Sequence, residues 1–200
     1  GLVAALAQSG VIPPVGEGTV LPVFTALFAD IGDRQSIRES LSTFSAHLAA
    51  LRNILEGADA GSLVLLDEIG SGTDPAEGGA LASAVLRALT ARGTLTVATT
   101  HLGALKRLAE AERGIVNASL QFDAVTLTPT FRFVKGLPGR SYALAIARNL
   151  GVDEAVVADA EATLPDADRA LDATLAALER RDREVELRRE EVEARAVTLD

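Results

Sequence analysis

The 200 residues contain no cysteine, no methionine and no tryptophan, one tyrosine and two histidines. Without cysteine there is neither a disulfide nor a thiolate metal site, and two histidines leave little for a histidine-based one. Any metal would be held largely by oxygen. Lysine is nearly absent too, confined to Lys106 and Lys135, and the formal net charge is -9. That balance argues against this segment gripping nucleic acid by itself, because phosphate contacts need clustered Lys and Arg. No run reaches the roughly 18 apolar residues needed to cross a bilayer, and the apolar opening GLVAALAQSG lacks the basic flank of a signal peptide. The expectation is a cytoplasmic chain with no membrane partner. The missing methionine, together with a start inside an amphipathic pattern, points to a portion of a longer protein.

Apolar residues are abundant by contrast, at 48% of the chain, enough to bury a sizeable core in one domain or one domain with an appendage. Residues 1–8 read as the end of a helix closed by Gly10. VIPPVGEGTVLPVF reads as a loop leading into a short strand around Val23 to Phe28. From Ser40 to Glu56 the residues Leu41, Phe44, Leu48, Leu51 and Leu55 recur at spacings of three and four, which predicts an amphipathic helix ended by Gly57 and Gly61. Leu63 to Leu66 form an unbroken apolar run, the pattern of a strand covered on both faces in a parallel sheet.

DPAE then offers Asp74 as an N-cap, Pro75 at the first helical position and Glu77 at the third, a capping-box arrangement for a helix running to about Arg92 and stopped by Gly93. TLTVATTH predicts a β-branched strand and LGALKRLAEA a short helix. The order strand, helix, strand, helix implies parallel strands with right-handed crossovers. VNASLQFD and TFRFVKG flank the turn-like TLTP and predict an antiparallel pair on the edge of that sheet. In the last quarter Leu164, Leu171, Leu178, Val185, Val192 and Leu199 repeat every seven residues, with Leu175 nearby. The other seam positions are mostly Thr and Arg, so a solvated single helix and a coiled coil both fit.

The strand tip raises the question of function. Asp67 and Glu68 end the apolar run, where open parallel sheets bind ligands. One carboxylate there can hold Mg²⁺ while the other orients an attacking water; two solvated acids explain the tetrapeptide LLDE equally well. SLSTFSAHL places Ser40, Ser42 and Thr43 at a helix start, either as an anion site or as ordinary caps. His101 ends the neighbouring predicted strand, in reach of a phosphate beside the carboxylates or merely incidental. Gln35 sits on the loop before the long helix and means nothing alone.

In this order the motifs resemble the ATPase domain of the MutS family of ABC-type ATPases, over most of residues 1–163. LLDEIGSGTDPAEG resembles that family's Walker B strand and D-loop, SLSTFSAHL its variant signature, and ATTH its switch histidine. FRFVKGLPGRSYALAIARNLGV is similar to its C-terminal helix-turn-helix, which helps two ATPase domains dimerise. DIGDRQSIRESLSTFSAHL and GSGTDP look like the branch associated with suppression of recombination and with ribosome rescue, whose charged linker precedes a C-terminal Smr nuclease domain.

The resemblance implies ATP and Mg²⁺ as cofactors, with Asp67 organising the metal, Glu68 polarising the hydrolytic water and His101 sensing the γ-phosphate. Gln35 would lie near metal and water, while Ser42, Thr43 and the D-loop around Asp74 would act on the nucleotide of the other subunit of a homodimer. It implies an α/β fold of P-loop NTPase type, its mostly parallel sheet flanked by helices and followed by a charged, coiled-coil-like tail. The expected divisions are an ATPase portion over 1–130, a dimerisation helix-turn-helix over 131–163 and a charged linker over 164–200. The partners implied are branched or mismatched DNA, the ribosome, or both, and the parent would also be an endonuclease.

One departure is plain: no G-x-x-x-x-G-K-[ST] occurs, so the backbone cradle and lysine for the β- and γ-phosphates are missing and the segment alone is expected to be an inactive ATPase. An inert dimerisation or interaction module is the alternative. An SMC- or transporter-type ATPase is weakened by the absence of L-S-G-G-Q.

Overall fold

A computed structural model of the protein describes residues 1–32, 40–123 and 128–197. Its elements run α1 (Leu2–Gln8), β1 (Ala26–Asp30), α2 (Ser40–Gly57), β2 (Ser62–Leu66), α3 (Pro75–Ala91), β3 (Leu95–Ala98) and α4 (Gly103–Ala111). They continue as β4 (Ala118–Asp123), β5 (Thr128–Lys135), α5 (Ala143–Asn149), α6 (Glu154–Thr163) and α7 (Asp166–Val197). The chain divides into two units, residues 1–115 and 116–200, where the sequence suggested a first boundary at 130.

In the first unit β1, β2 and β3 form a parallel sheet with β2 in the middle, and Ala29, Leu65 and Val97 share one register row. The unbroken apolar run takes the central place because only there are both neighbours strands; Val64 is wholly buried and Leu63 and Leu66 nearly so. One face of the sheet packs on α2, α3 and α4 through Leu51, Ile54, Val64, Val85, Leu89 and Leu105. On the other, Leu27, Leu95 and Val97 are about half exposed. The first strand starts three residues later than the sequence suggested. Val23 is largely exposed, and pairing begins only where Thr25 N donates to Gly61 O.

The N-cap and stop signals of α3 act as read. Asp74 Oδ1 accepts from Ala76 N and Glu77 N at 2.9 and 3.1 Å, with Pro75 at the first helical position. At the far end Gly93, at φ 73°, donates to Thr90 O while Thr94 N reaches Leu89 O. This is the paired 5→2 and 6→1 closure that a left-handed residue permits.

In the second unit β4 and β5 pair antiparallel, with an irregularity between Leu120 and Phe122. They form a two-stranded sheet of their own among the described residues, which corrects the expected edge position. The side chains that β4 buries are Ser119 and Gln121, a polar face unlike the apolar rows of the parallel sheet. Helices α5 and α6 pack together, joined by a turn in which Gly151 has φ 80°.

The long α7 turns inward along Leu175, Ala176 and Glu179, while Leu178, Val185 and Val192 of the heptad row are 47 to 66% exposed. Polar pairing sets this orientation. Arg140 grips both oxygens of Asp172, at 3.1 and 2.8 Å, and reaches Glu179 at 3.4 Å. Tyr142 Oη donates to Glu179 at 3.0 Å, and its ring tilts against Phe122.

Candidate active site

The three parallel strands end together, and their tips carry the chemistry. Asp67 follows β2, its backbone N–H donating to Asp30 O at the end of β1 at 2.9 Å. Thr99 follows β3. Its N–H donates to Leu66 O, and its hydroxyl donates to Asp67 Oδ1 at 2.5 Å while accepting from Glu68 N at 2.9 Å. One threonine therefore fixes both the side chain of the first carboxylate and the backbone of the second. Glu68 has φ 50°, a left-handed conformation that costs a non-glycine residue of order 1 kcal/mol or more and is found where the surroundings over-determine it. Here the Thr99 hydroxyl and the Ile69 N–H bond to Thr99 O at 3.0 Å hold the turn from either side.

The consequence is that Glu68 leaves the line of the strand and meets His101, whose Nδ1 lies 2.6 Å from Glu68 Oε2. Both side chains are more than half exposed, so the pair is weakly held and can be exchanged for other partners.

Beyond Glu68 the chain turns through two glycines with left-handed φ, Gly70 and Gly72. Gly70 is needed for space as well as conformation: a Cβ there would stand 2.7 Å from Gly78 O in the first turns of α3. The loop thus lies tight on the helix, and Gly72 lies against Phe44 of α2. Asp30, Phe44, His47, Asp67, Glu68 and Ser71 all line one cleft between α2 and the strand tips. In it His47 Nδ1 stands 2.7 Å from Asp30 Oδ2.

Of the residues singled out by sequence, Asp67, Glu68 and His101 come together at the strand tips. Asp74 is engaged in capping α3. Gln35 lies outside the described residues, as do the side chains of Ser42 and Thr43, whose backbone belongs to the start of α2. Sequence reasoning missed Thr99, Asp30 and His47. The signal for His47 was available, since it falls in the i, i+3, i+4, i+7 stripe of Phe44, Leu48 and Leu51, where a polar side chain facing a core needs a partner.

The donor set fits Mg²⁺. Among the described residues no group of three or more acidic or histidine side chains forms a ready-made cage. Mg²⁺ usually takes one or two carboxylates with waters and substrate phosphates, and Asp67 offers Oδ2 beside an Oδ1 already oriented by Thr99. No described helix is long and apolar enough to cross a membrane.

Residues 1–167 match the family described as MutS domain V. The protein named Endonuclease MutS2 of Gemmatimonas aurantiaca is 63% identical over 164 residues, covering 82% of this chain and 20% of that protein. Proteins of the same name from Thermomicrobium roseum and Caldicellulosiruptor bescii are 53% and 52% identical over the same length, each covered to 21%. The chain spans about a fifth of the length of the curated relatives it matches. It belongs to the MutS family, as a segment of the MutS2 branch.

Proposed function

We propose that the segment is the signature, Walker B, D-loop and switch portion of a dimeric MutS-type ATPase of ABC type whose nucleotide cycle drives action on nucleic acid. The observation that supports the reading best is the convergence of Asp67, Glu68 and His101 at the ends of adjacent parallel strands, with Glu68 turned out of its strand onto the histidine. Mg²⁺, when bound, supplies charge neutralisation to the phosphates. Asp67, whose Oδ1 is oriented by Thr99, would hold it. Glu68 accepts a proton from, and so orients, the attacking water once His101 is drawn to the γ-phosphate.

Gln35 stands near metal and water in this reading. Ser42, Thr43 and the loop ending at Asp74 face the nucleotide of the partner subunit. Dimerisation runs through residues 131–163 and the exposed heptad row of α7. The whole protein is proposed to act on branched DNA, limiting homologous recombination, on stalled ribosomes, or on both, and to cleave nucleic acid through a further domain. With a net charge of -9, the grip on those targets is assigned to regions outside this segment.

Glu68→Gln in the full-length protein tests the reading. The amide keeps shape and ATP binding but cannot accept the proton, so single-turnover hydrolysis should fall by orders of magnitude while a nucleotide-bound dimer accumulates. A rate within about threefold of the unaltered protein, roughly 0.7 kcal/mol of barrier, would remove Glu68 from the role.

A further inference from the structure

We propose that Asp30 and His47 form a polar strut that fixes helix α2 against the strand tips carrying Asp67 and Glu68, which makes both positioning residues for the phosphate site of the partner subunit. The inference rests on the dimeric reading above. Asp30 is the last residue of β1 and is 8% exposed. Its backbone oxygen takes the N–H of Asp67 at 2.9 Å, and its side chain takes Nδ1 of His47 at 2.7 Å. A carboxylate can only accept, so the Nδ1 proton belongs to this bond. One residue is therefore tied by its main chain to the first carboxylate of the site and by its side chain to α2.

Ser42 and Thr43 stand five and four residues before His47 on the same helix, about 7.5 and 6 Å along its axis. The other described residues with which α2 lines the cleft are apolar, Phe44, Leu48 and Leu51. Apolar packing is non-directional and lets a helix slide or roll, whereas a short hydrogen bond in a half-enclosed cleft fixes both. Leaving the Asp30 carboxylate there without a partner is costly, so the bond and the position of α2 are maintained together. The strut links the carboxylates serving one subunit's nucleotide to the helix start that serves the other's.

The test uses the full-length dimer carrying Asp30→Ala, His47→Leu or both, none of which leaves a donor–acceptor pair at the strut, beside Ser42→Ala. The expected result is a fall of about tenfold or more in kcat, with KM for Mg-ATP held within about twofold. The double variant should be no slower than either single one, since all three break the same strut. Mixing His47→Leu subunits with subunits unable to bind nucleotide should restore hydrolysis, because the one competent site then faces an intact strut. Melting temperatures identify a variant that simply fails to fold, and His47→Gln then takes its place. Recovery by mixing with Ser42→Ala but not with His47→Leu would overturn the strut alone, showing that the pair serves its own subunit or only the fold. No recovery with either, while subunits exchange, would overturn the trans role of the α2 start and the strut with it. Single variants that keep kcat within about twofold also refute the inference.

Discussion

Val64 and Leu89 are wholly enclosed in residues 1–115, within a cluster drawn from α2, β2, α3 and α4. In residues 116–200 the most enclosed apolar side chains are Val157, Leu175 and Ala176, and they share the interior with Ser119, Gln121 and Glu179. The first unit is held mainly by transfer of apolar surface out of water, which is non-directional and, unlike charge pairing, is not screened by ions. The second relies on directed polar bonds from Arg140 and Tyr142 to α7, whose strength depends on geometry, ionic strength and protonation. An apolar platform suits strand tips that must hold Asp67 and Glu68 in fixed register. A polar clasp instead selects one orientation of a helix whose remaining surface mixes charge with an exposed apolar row. The two units should therefore answer to different perturbations.

The sharpest break comes from the first unit. Leu89→Ala deletes a side chain with no exposed surface and should cost about 2 to 5 kcal/mol, as cavities in well-packed cores do. Urea denaturation followed by amide exchange should show the loss in β2, α3 and α4, with little dependence on salt. A loss that tracked ionic strength would remove the contrast between the units.

The counterpart in the second unit is Arg140→Ala. It leaves Glu179 buried with Tyr142 as its remaining partner among the described residues, while Asp172 is exposed enough to be hydrated. The expected cost is about 1 to 3 kcal/mol, read as faster amide exchange in the first half of α7. Raising the salt concentration in the unaltered protein should reproduce part of the loss. If salt changes nothing, the clasp is held by packing and the comparison fails on this side.

How far these features could be read from sequence follows the same divide. The parallel strands, the capped α3 and the carboxylates at the strand tip were legible because they rest on local signals: an unbroken apolar run, Asp-Pro-x-Glu, and glycine at helix ends. The pairing of His47 with Asp30 was not, because it joins residues 17 apart through the geometry of a cleft. The separate β4–β5 sheet and the inward face of α7 were misread or missed for a related reason. Alternation predicts a strand and a heptad predicts a stripe, but polar partners such as Arg140, distant in sequence, decide which face turns inward. Thr99 was hidden by chemistry rather than distance, since a threonine in a β-branched strand reads as propensity before it reads as a hydroxyl.

A smaller effect is expected from Tyr142. Burial, and then the Glu179 carboxylate, push its phenol from the usual 10 up to about 12. The raised value means that the folded unit favours the protonated phenol. The stabilisation is complete below about pH 10 and is lost as pH rises through about 12. Tyr142 is the only tyrosine and the chain has no tryptophan, so tyrosinate absorbance reports it directly. Glu179→Gln should lower the midpoint only in part, because burial is the larger cause. Tyr142→Phe should cost about 1 kcal/mol, one hydrogen bond from a part-buried hydroxyl. Titration at the ordinary value would show the ring to be hydrated and the clasp open in solution.

The smallest effect should come from the other arginine of the second unit. Arg148 reaches Glu154 at 3.1 Å and Glu161 at 2.8 Å, and on paper this fork resembles that of Arg140. It holds Glu161 below the usual carboxylate range through the hydrogen bond to the guanidinium. With a folded value below the unfolded one, any stability from Glu161 is present above the usual glutamate range and fades as pH falls through the lowered value. The difference lies in water. Arg148 and its partners are solvent-accessible, so the bonds replace hydration of nearly equal strength and the side chains lose freedom in forming them. The turn between α5 and α6 is already closed by backbone bonds from Gly151 N to Arg148 O and from Val152 N to Ala147 O. Arg148→Ala should therefore leave the denaturation midpoint and amide exchange in α5 and α6 unchanged within error, at low salt and high. A loss comparable to that of Arg140→Ala would mean that charge pairing alone, whether or not it is enclosed, holds this unit together.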